Sequence, residues 1–185
     1  MSSREDAVAF WDEEIGRWVC GEHDLGPKLH RWMSAYKGQG AGAVELSAFL
    51  EPYIGPLAGR STPALVMLGL NPGAAAIEFQ GQEGLFTREI AGSKYSQWAA
   101  TSPYTSQAWE SVKGKNRYHR NRLKFARRLH KNEDIQANAL LYLELYPFHS
   151  KRVSATIDPD PDLLHRFVFG PLGEIDVAHI FAVMC

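Results

Sequence analysis

The sequence predicts an α/β domain, a three-layer sandwich around a central parallel sheet, with a helical segment before it. Two apolar runs carry that expectation, residues 64–68 and 137–145, separated by a crossover long enough for a helix. A strand, a helical crossover and a second strand make a parallel βαβ pair. A third apolar run, residues 177–184, reads as a further buried strand. The 185 residues fit one domain, helical over 1–60 and parallel α/β over 61–185, long enough to bury a real core.

Over residues 1–60, Phe10, Trp11, Ile15, Trp18 and Val19 repeat at helical spacing, as do Leu29, Trp32, Met33 and Tyr36. Pro27 suits the first turn of the second helix. A third short helix is expected over residues 44–50, after the break Gly38-Gln39-Gly40-Ala41-Gly42. Trp11, Trp18 and Trp32 fall on the apolar faces and read as core rather than as a stacking platform.

The first strand stops at Gly69-Leu70-Asn71-Pro72-Gly73. Gly69 and Gly73 permit backbone angles closed to other residues, and Pro72 fixes one dihedral. The polar amide of Asn71 is thereby held at the carboxyl end of a core strand, where ligands bind in open α/β sheets. A plain strand-to-loop turn is the alternative, because Asn-Pro and Pro-Gly are common turn pairs. Residues 74–111 read as a long loop with one short helix, and loops of that length are usually functional or mobile.

From Lys113 to Lys131 nine cations occur with no acid between them, in a chain whose net charge is −1. Lys113, Lys115, Arg117, Arg120, Arg122, Lys124, Arg127, Arg128 and Lys131 alternate with Leu123, Phe125, Ala126 and Leu129. This predicts an amphipathic helix with a basic outer face. Such density reads as a phosphate-binding stripe, with a merely solvated face as the alternative. The second strand ends in Glu144-Leu145-Tyr146-Pro147-Phe148-His149-Ser150, and in a parallel pair that segment faces the same crevice as Asn71. A last helix is expected with Asp160 as cap and Pro161 as its first residue.

Composition excludes several classes. Cys20 and Cys185 stand far apart, giving no disulfide framework and no metal-spaced cluster, which fits a reducing cytoplasm. No apolar run approaches the roughly 20 residues of a membrane span. The polar start, Met1-Ser2-Ser3-Arg4-Glu5-Asp6, is unlike a signal peptide. Neither a metal nor another cofactor is expected.

The run Val66-Met67-Leu68-Gly69-Leu70-Asn71-Pro72-Gly73 resembles the first motif of the uracil-DNA glycosylase superfamily. The likeness is to its mismatch-specific and single-strand-selective branches, whose signature is Gly-x-Asn-Pro-Gly. Glu144 and Pro147 occupy the places of a base-reading polar residue and of a Pro three positions later. The resemblance spans roughly residues 63–185. It implies a DNA-repair hydrolase that flips a base out of DNA and hydrolyses its N-glycosidic bond without a metal. Asn71 would orient the attacking water. Gly69, Leu70, Pro72 and Gly73 would shape the base pocket, and Phe86 would stack on the flipped base. Lys113, Lys115, Arg117, Arg120, Lys124, Arg127 and Arg128 would track phosphates, with DNA, RNA or a nucleotide as partner.

Two departures qualify the likeness. The family reads uracil with an Asn amide where this chain has Glu144, and an ionised glutamate only accepts hydrogen bonds. That favours a base edge with donors, a protonated Glu144, or a structural acid paired with an arginine. His149 reads as a catalytic acid, a phosphate contact or a local hydrogen-bonding residue. The family also has a fourth strand and a loop bearing His or Asn, neither of which precedes Cys185. Either the chain is truncated or the protein lacks that half of the site. The alternative to a glycosylase is a non-catalytic nucleic-acid or nucleotide-binding module of the same fold.

Overall fold

A computed structural model of the chain describes residues 3–36, 38–59, 61–152, 160–176 and 179–183. Helix α1, Ser3–Val19, has Glu5 and Asp6 in its first turn and Arg17 in its last, which complements the helix dipole. It buries Ala7, Trp11, Ile15, Trp18 and Val19 along one face. Helix α2, Pro27–Ser34, opens on Pro27 and buries Leu29 and Trp32. Trp11 meets Trp32 with ring centroids 5.3 Å apart, and Phe167 lies 5.6 Å from Trp32. The three tryptophans of this segment are therefore core. They share one continuous apolar cluster with residues from the far end of the sequence.

The sheet holds β1 (Tyr53–Ile54), β2 (Leu65–Gly69), β3 (Leu140–Glu144) and β4 (Ile180–Val183), in the order β1-β3-β2-β4. Strands β2 and β3 are adjacent and parallel, with Gly69 opposite Glu144, and β4 runs parallel on the other side of β2. The molecule is thus α/β. Its sheet is mixed rather than purely parallel, because β1 pairs antiparallel with β3. Leu65, Val66, Leu140, Leu141 and Leu143 are buried, as expected of central strands.

Four expectations give way. Residues 44–50 form no helix but irregular chain with a bend at Ser47 and isolated bridges from Glu45 to His149 and from Ala48 to Gly81. Backbone bonds to the loop after β3 satisfy this segment better than a short isolated helix would. The span 74–111 is mostly helical rather than loop: α3 (Ile77–Gln80), α4 (Leu85–Ala91), α5 (Tyr95–Ala99) and α6 (Gln107–Lys113). Its helices are so short that no helical period repeats long enough to be read. Residues 137–139 are a 3-10 turn leading into β3. Finally β4 is an edge strand, with Ile180 49% and Phe181 36% exposed, so the third run is not a buried strand. Residues 177, 178 and 184 of that run lie outside the described residues.

The crossover helix α7, Arg117–His130, connects α6 to β3, and Asn116 caps it by accepting from the His119 N–H at 3.2 Å. Helix α8, Pro161–Leu164, starts as expected. The Asp160 side chain accepts from the N–H groups of Asp162 and Leu163, and a π-helical turn leads on into α9, Gly170–Gly173. No helix among the described residues is long and apolar enough to cross a membrane.

Candidate functional site

A cleft of about 710 Å³ opens where β2 and β3 end. Both strands run the same way, so both following loops leave at one edge. They run on side by side: Leu145 N–H donates to the Gly69 carbonyl, Tyr146 N–H to that of Leu70 and Ser150 N–H to that of Gly73, each at 3.0 Å. Gly73 has a φ of 79°, which lets the chain turn there without strain.

Asn71 lies within this stitched pair of loops. Its Nδ2 donates to Ser150 Oγ at 2.9 Å and to the Phe148 carbonyl at 3.4 Å. The Tyr36 hydroxyl donates to that same carbonyl at 3.3 Å. With both amide hydrogens so engaged among the described residues, Oδ1 is the Asn71 atom left for a ligand there.

Glu144 ends β3. Its carboxyl lies against Gly69, and its buried Oε2 has no hydrogen-bond partner among the described residues. Burial pushes its pKa well above the ordinary carboxylate range, and the nearby Glu51 raises it further. His149 is buried, 2% exposed, between two fixed partners. Its Nε2 lies 3.0 Å from Gln80 Nε2, which donates to it, and its Nδ1–H faces the Gly73 carbonyl at 3.2 Å. Desolvation lowers its pKa to about 4, so it is a neutral hydrogen-bonding residue near pH 7.

Sequence reading missed the residues that this histidine leads to. Gln80 Nε2 lies 2.9 Å from both Glu51 Oε2 and the Tyr104 hydroxyl, and its Oε1 accepts from the Ala76 N–H at 2.7 Å. Tyr104 donates to Glu51 Oε2. With two hydrogens to give, Gln80 serves Glu51 and His149. Burial raises Glu51 to about 7, with its donors Tyr104 and Gln80 acting against the rise. Glu51 did leave a signal: it is a lone acid in the apolar stretch Phe49-Leu50-Glu51-Pro52-Tyr53.

Gly69, Leu70, Asn71, Pro72, Gly73, Glu144 and His149 all line the cleft, whereas Phe86 does not. Phe86 is 0% exposed, packed between Phe79, Trp98, Tyr104 and Trp109, so a stacking role on a ligand is withdrawn. Tyr104, Tyr118, His119 and Tyr142 supply the aromatic lining instead. His119 stacks on Tyr104 with centroids 5.1 Å apart, and desolvation, with Arg122 adding to it, lowers its pKa to about 4.

The first turn of α7 reaches the cleft, and the basic residues divide along this helix. Lys115, Arg117, Arg120 and Lys124 line a shallow exposed groove with Asn121. Arg128 is exposed. Lys113 pairs with Glu78, and Arg120 lies 3.8 Å from Glu110. Arg127 Nε donates to the Ile135 carbonyl at 3.0 Å, tying the helix to the turn that follows it. No group of three or more His, Cys, Asp or Glu among the described residues is arranged to hold a metal ion.

Comparison of the chain with family models, with curated proteins and with solved structures returned no match.

Proposed function

We propose that the chain is a uracil-DNA glycosylase-like protein, a three-layer α/β sandwich that hydrolyses the N-glycosidic bond of a damaged or mismatched base in DNA. The observation that carries this reading is the state of Asn71. Its amide nitrogen is anchored to Ser150 and Phe148 at the mouth of a cleft that also holds Glu144, at the end of the adjacent parallel strand. A fixed amide with its carbonyl oxygen available suits the positioning of a water rather than its deprotonation. Water would attack the sugar carbon as the base departs with the bonding electrons, and Oδ1 would stabilise the positive charge that develops on the sugar. Glu144 would meet the edge of the base, and the groove of Lys115, Arg117, Arg120 and Lys124 would follow phosphates without reading sequence.

The test is base release under single-turnover conditions from oligonucleotides carrying uracil, hypoxanthine, xanthine or mismatched thymine, single- and double-stranded. Release of one of these bases is expected, lowered about 10²-fold or more by Asn71→Ala, the scale of a lost positioning group. Glu144→Asn should change which base is released, because an amide presents a donor and an acceptor together. Salt-sensitive oligonucleotide binding without release of any base would favour the non-catalytic binding module, a reading that the exposed basic groove supports equally well.

A further inference from the structure

Two carboxyls open on the cleft. Glu144 ends β3, and its N–H donates at 2.9 Å to the carbonyl of Pro52, the neighbour of Glu51. The two acids thus stand on adjacent chain segments at one end of the sheet. Their partners differ. Glu51 Oε2 accepts from Gln80 and from Tyr104, while Glu144 Oε2 is buried with no donor among the described residues. Donors aimed at a carboxyl favour its ionised form, and burial without donors favours the neutral acid. An amide cannot take up the proton that hydrolysis releases from water, so Asn71 leaves a task open.

We propose that Glu51 and Glu144 act as an acid–base pair on a glycosidic ligand in this cleft, Glu51 accepting a proton from the attacking water and Glu144 giving one to the departing base. The proposal rests on the glycosylase reading of the site. In the step, a water oxygen bonds to the sugar carbon and its proton passes to Glu51. The carbon–nitrogen bond breaks with its electron pair on the base, which takes the Glu144 proton. Proton exchange with solvent in the open cleft resets the pair.

The charge of the neighbours is compatible with this division. Tyr104 and Gln80 face Glu51, and His149 reaches it through Gln80. Tyr36 and Tyr95 interact electrostatically with Glu144, and Tyr53, Tyr118, His119, Tyr142, Lys151 and Arg152 complete the titratable lining. His119 and His149 are held at about 4, and burial raises Tyr36, Tyr53, Tyr95, Tyr104 and Tyr142. The lowered histidines and raised tyrosines thus keep one charge across neutrality, where Glu51 titrates at about 7.

The test uses the full chain and two matched oligonucleotides, one with a cationic pyrrolidine abasic analogue and one with its neutral tetrahydrofuran counterpart. At pH 8 the cation should bind about tenfold tighter or more, through the ionised Glu51. Glu51→Gln should abolish that preference while leaving binding of the neutral analogue intact. In base release, Glu51→Gln should lower the single-turnover rate about 10²-fold and flatten its acid limb near neutrality. Glu144→Gln should cost most with poorly departing bases and least with 5-fluorouracil, a dependence that a structural role would not produce. Equal affinity for the two analogues, or an acid limb unchanged in Glu51→Gln, overturns the pair and leaves the glycosylase reading standing. Binding of neither oligonucleotide overturns the glycosylase reading and the pair with it.

Discussion

Gly69 and Glu144 face each other across the parallel β2–β3 pair, and the glutamate carboxyl occupies the space that a side chain on the glycine would need. An ideal Cβ at Gly69 falls 2.8 Å from Glu144 Cδ. The glycine that ends β2 therefore serves its neighbour. It makes room for a buried acid at the mouth of the cleft, beside Asn71.

Gly69→Ala should force that carboxyl aside and, because it is the far end of a flexible side chain, destabilise the fold by about 1 kcal/mol, the low end of the cost of overpacking. Shortening Glu144 removes the obstacle. The double variant Gly69→Ala/Glu144→Ala should then cost less than the sum of the two single changes, as expected for residues in contact. Urea unfolding of the four proteins measures the coupling. Additive costs would mean that the carboxyl does not depend on the glycine.

Gln80 joins Glu51 and His149 as the common donor. Gln80→Leu keeps the size of the side chain but leaves a buried carboxyl and a buried imidazole each short of a hydrogen. A loss of about 2–4 kcal/mol is expected, the range for buried polar groups left unsatisfied. If urea unfolding finds Gln80→Leu neutral, these contacts do not hold the site together.

The legible parts of this chain were those with long periods or sharp punctuation. The runs around Val66 and Leu141 became β2 and β3, parallel and adjacent, and the Asp160–Pro161 cap starts a helix. Asn71, Glu144 and His149 were placed at one crevice because parallel strands bring their ends together. The antiparallel β1 was not legible, since two residues, Tyr53 and Ile54, carry no period. Nor was the Gln80 hub, whose side-chain partners lie between 24 and 69 residues away in sequence. Phe86 misled because an aromatic shortly after the first motif serves a core as readily as a ligand. The Arg127 bond to the Ile135 carbonyl was not legible either, because charge pattern alone does not tell a solvated cation from one that satisfies a backbone carbonyl.

Stability should depend on pH through the same buried groups. An unfolded glutamate titrates near 4.5, whereas burial and the nearby Glu51 raise Glu144 well above that in the folded chain. Above 4.5 the folded state then binds more protons than the unfolded, so stability falls as pH rises through the Glu144 window. Glu51, at about 7, acts in the same sense between 4.5 and 7. His119 and His149 act oppositely. Held at about 4 against an ordinary 6.5, they add stability that is complete above 6.5 and is lost as pH falls toward 4. Followed from pH 4.5 to 9, wild type should lose stability relative to Glu144→Gln as pH rises, because the folded state holds the Glu144 proton above the ordinary carboxylate range. Urea midpoints for both proteins across that range decide it, and parallel curves would show that Glu144 is not held neutral by the fold.

The division along α7 predicts two kinds of variant. Lys115, Arg117 and Lys124 are exposed on the groove beside the cleft, whereas Arg127 is half-buried and donates to the Ile135 carbonyl. Replacing any of the first three with Ala should lower the slope of log affinity against log salt by about 0.7 for single-stranded DNA and about 0.9 for duplex. Stability should then stay within about 0.5 kcal/mol of wild type. Arg127→Ala should do the reverse, leaving the slope unchanged while costing about 1 kcal/mol for the lost hydrogen bond. Anisotropy titrations at several salt concentrations, paired with urea unfolding, separate the two. If Arg127→Ala lowers the slope as much as Lys124→Ala does, the phosphate path follows the whole helix rather than the groove. If none of the four changes it, the basic face is only solvated and DNA meets the protein elsewhere.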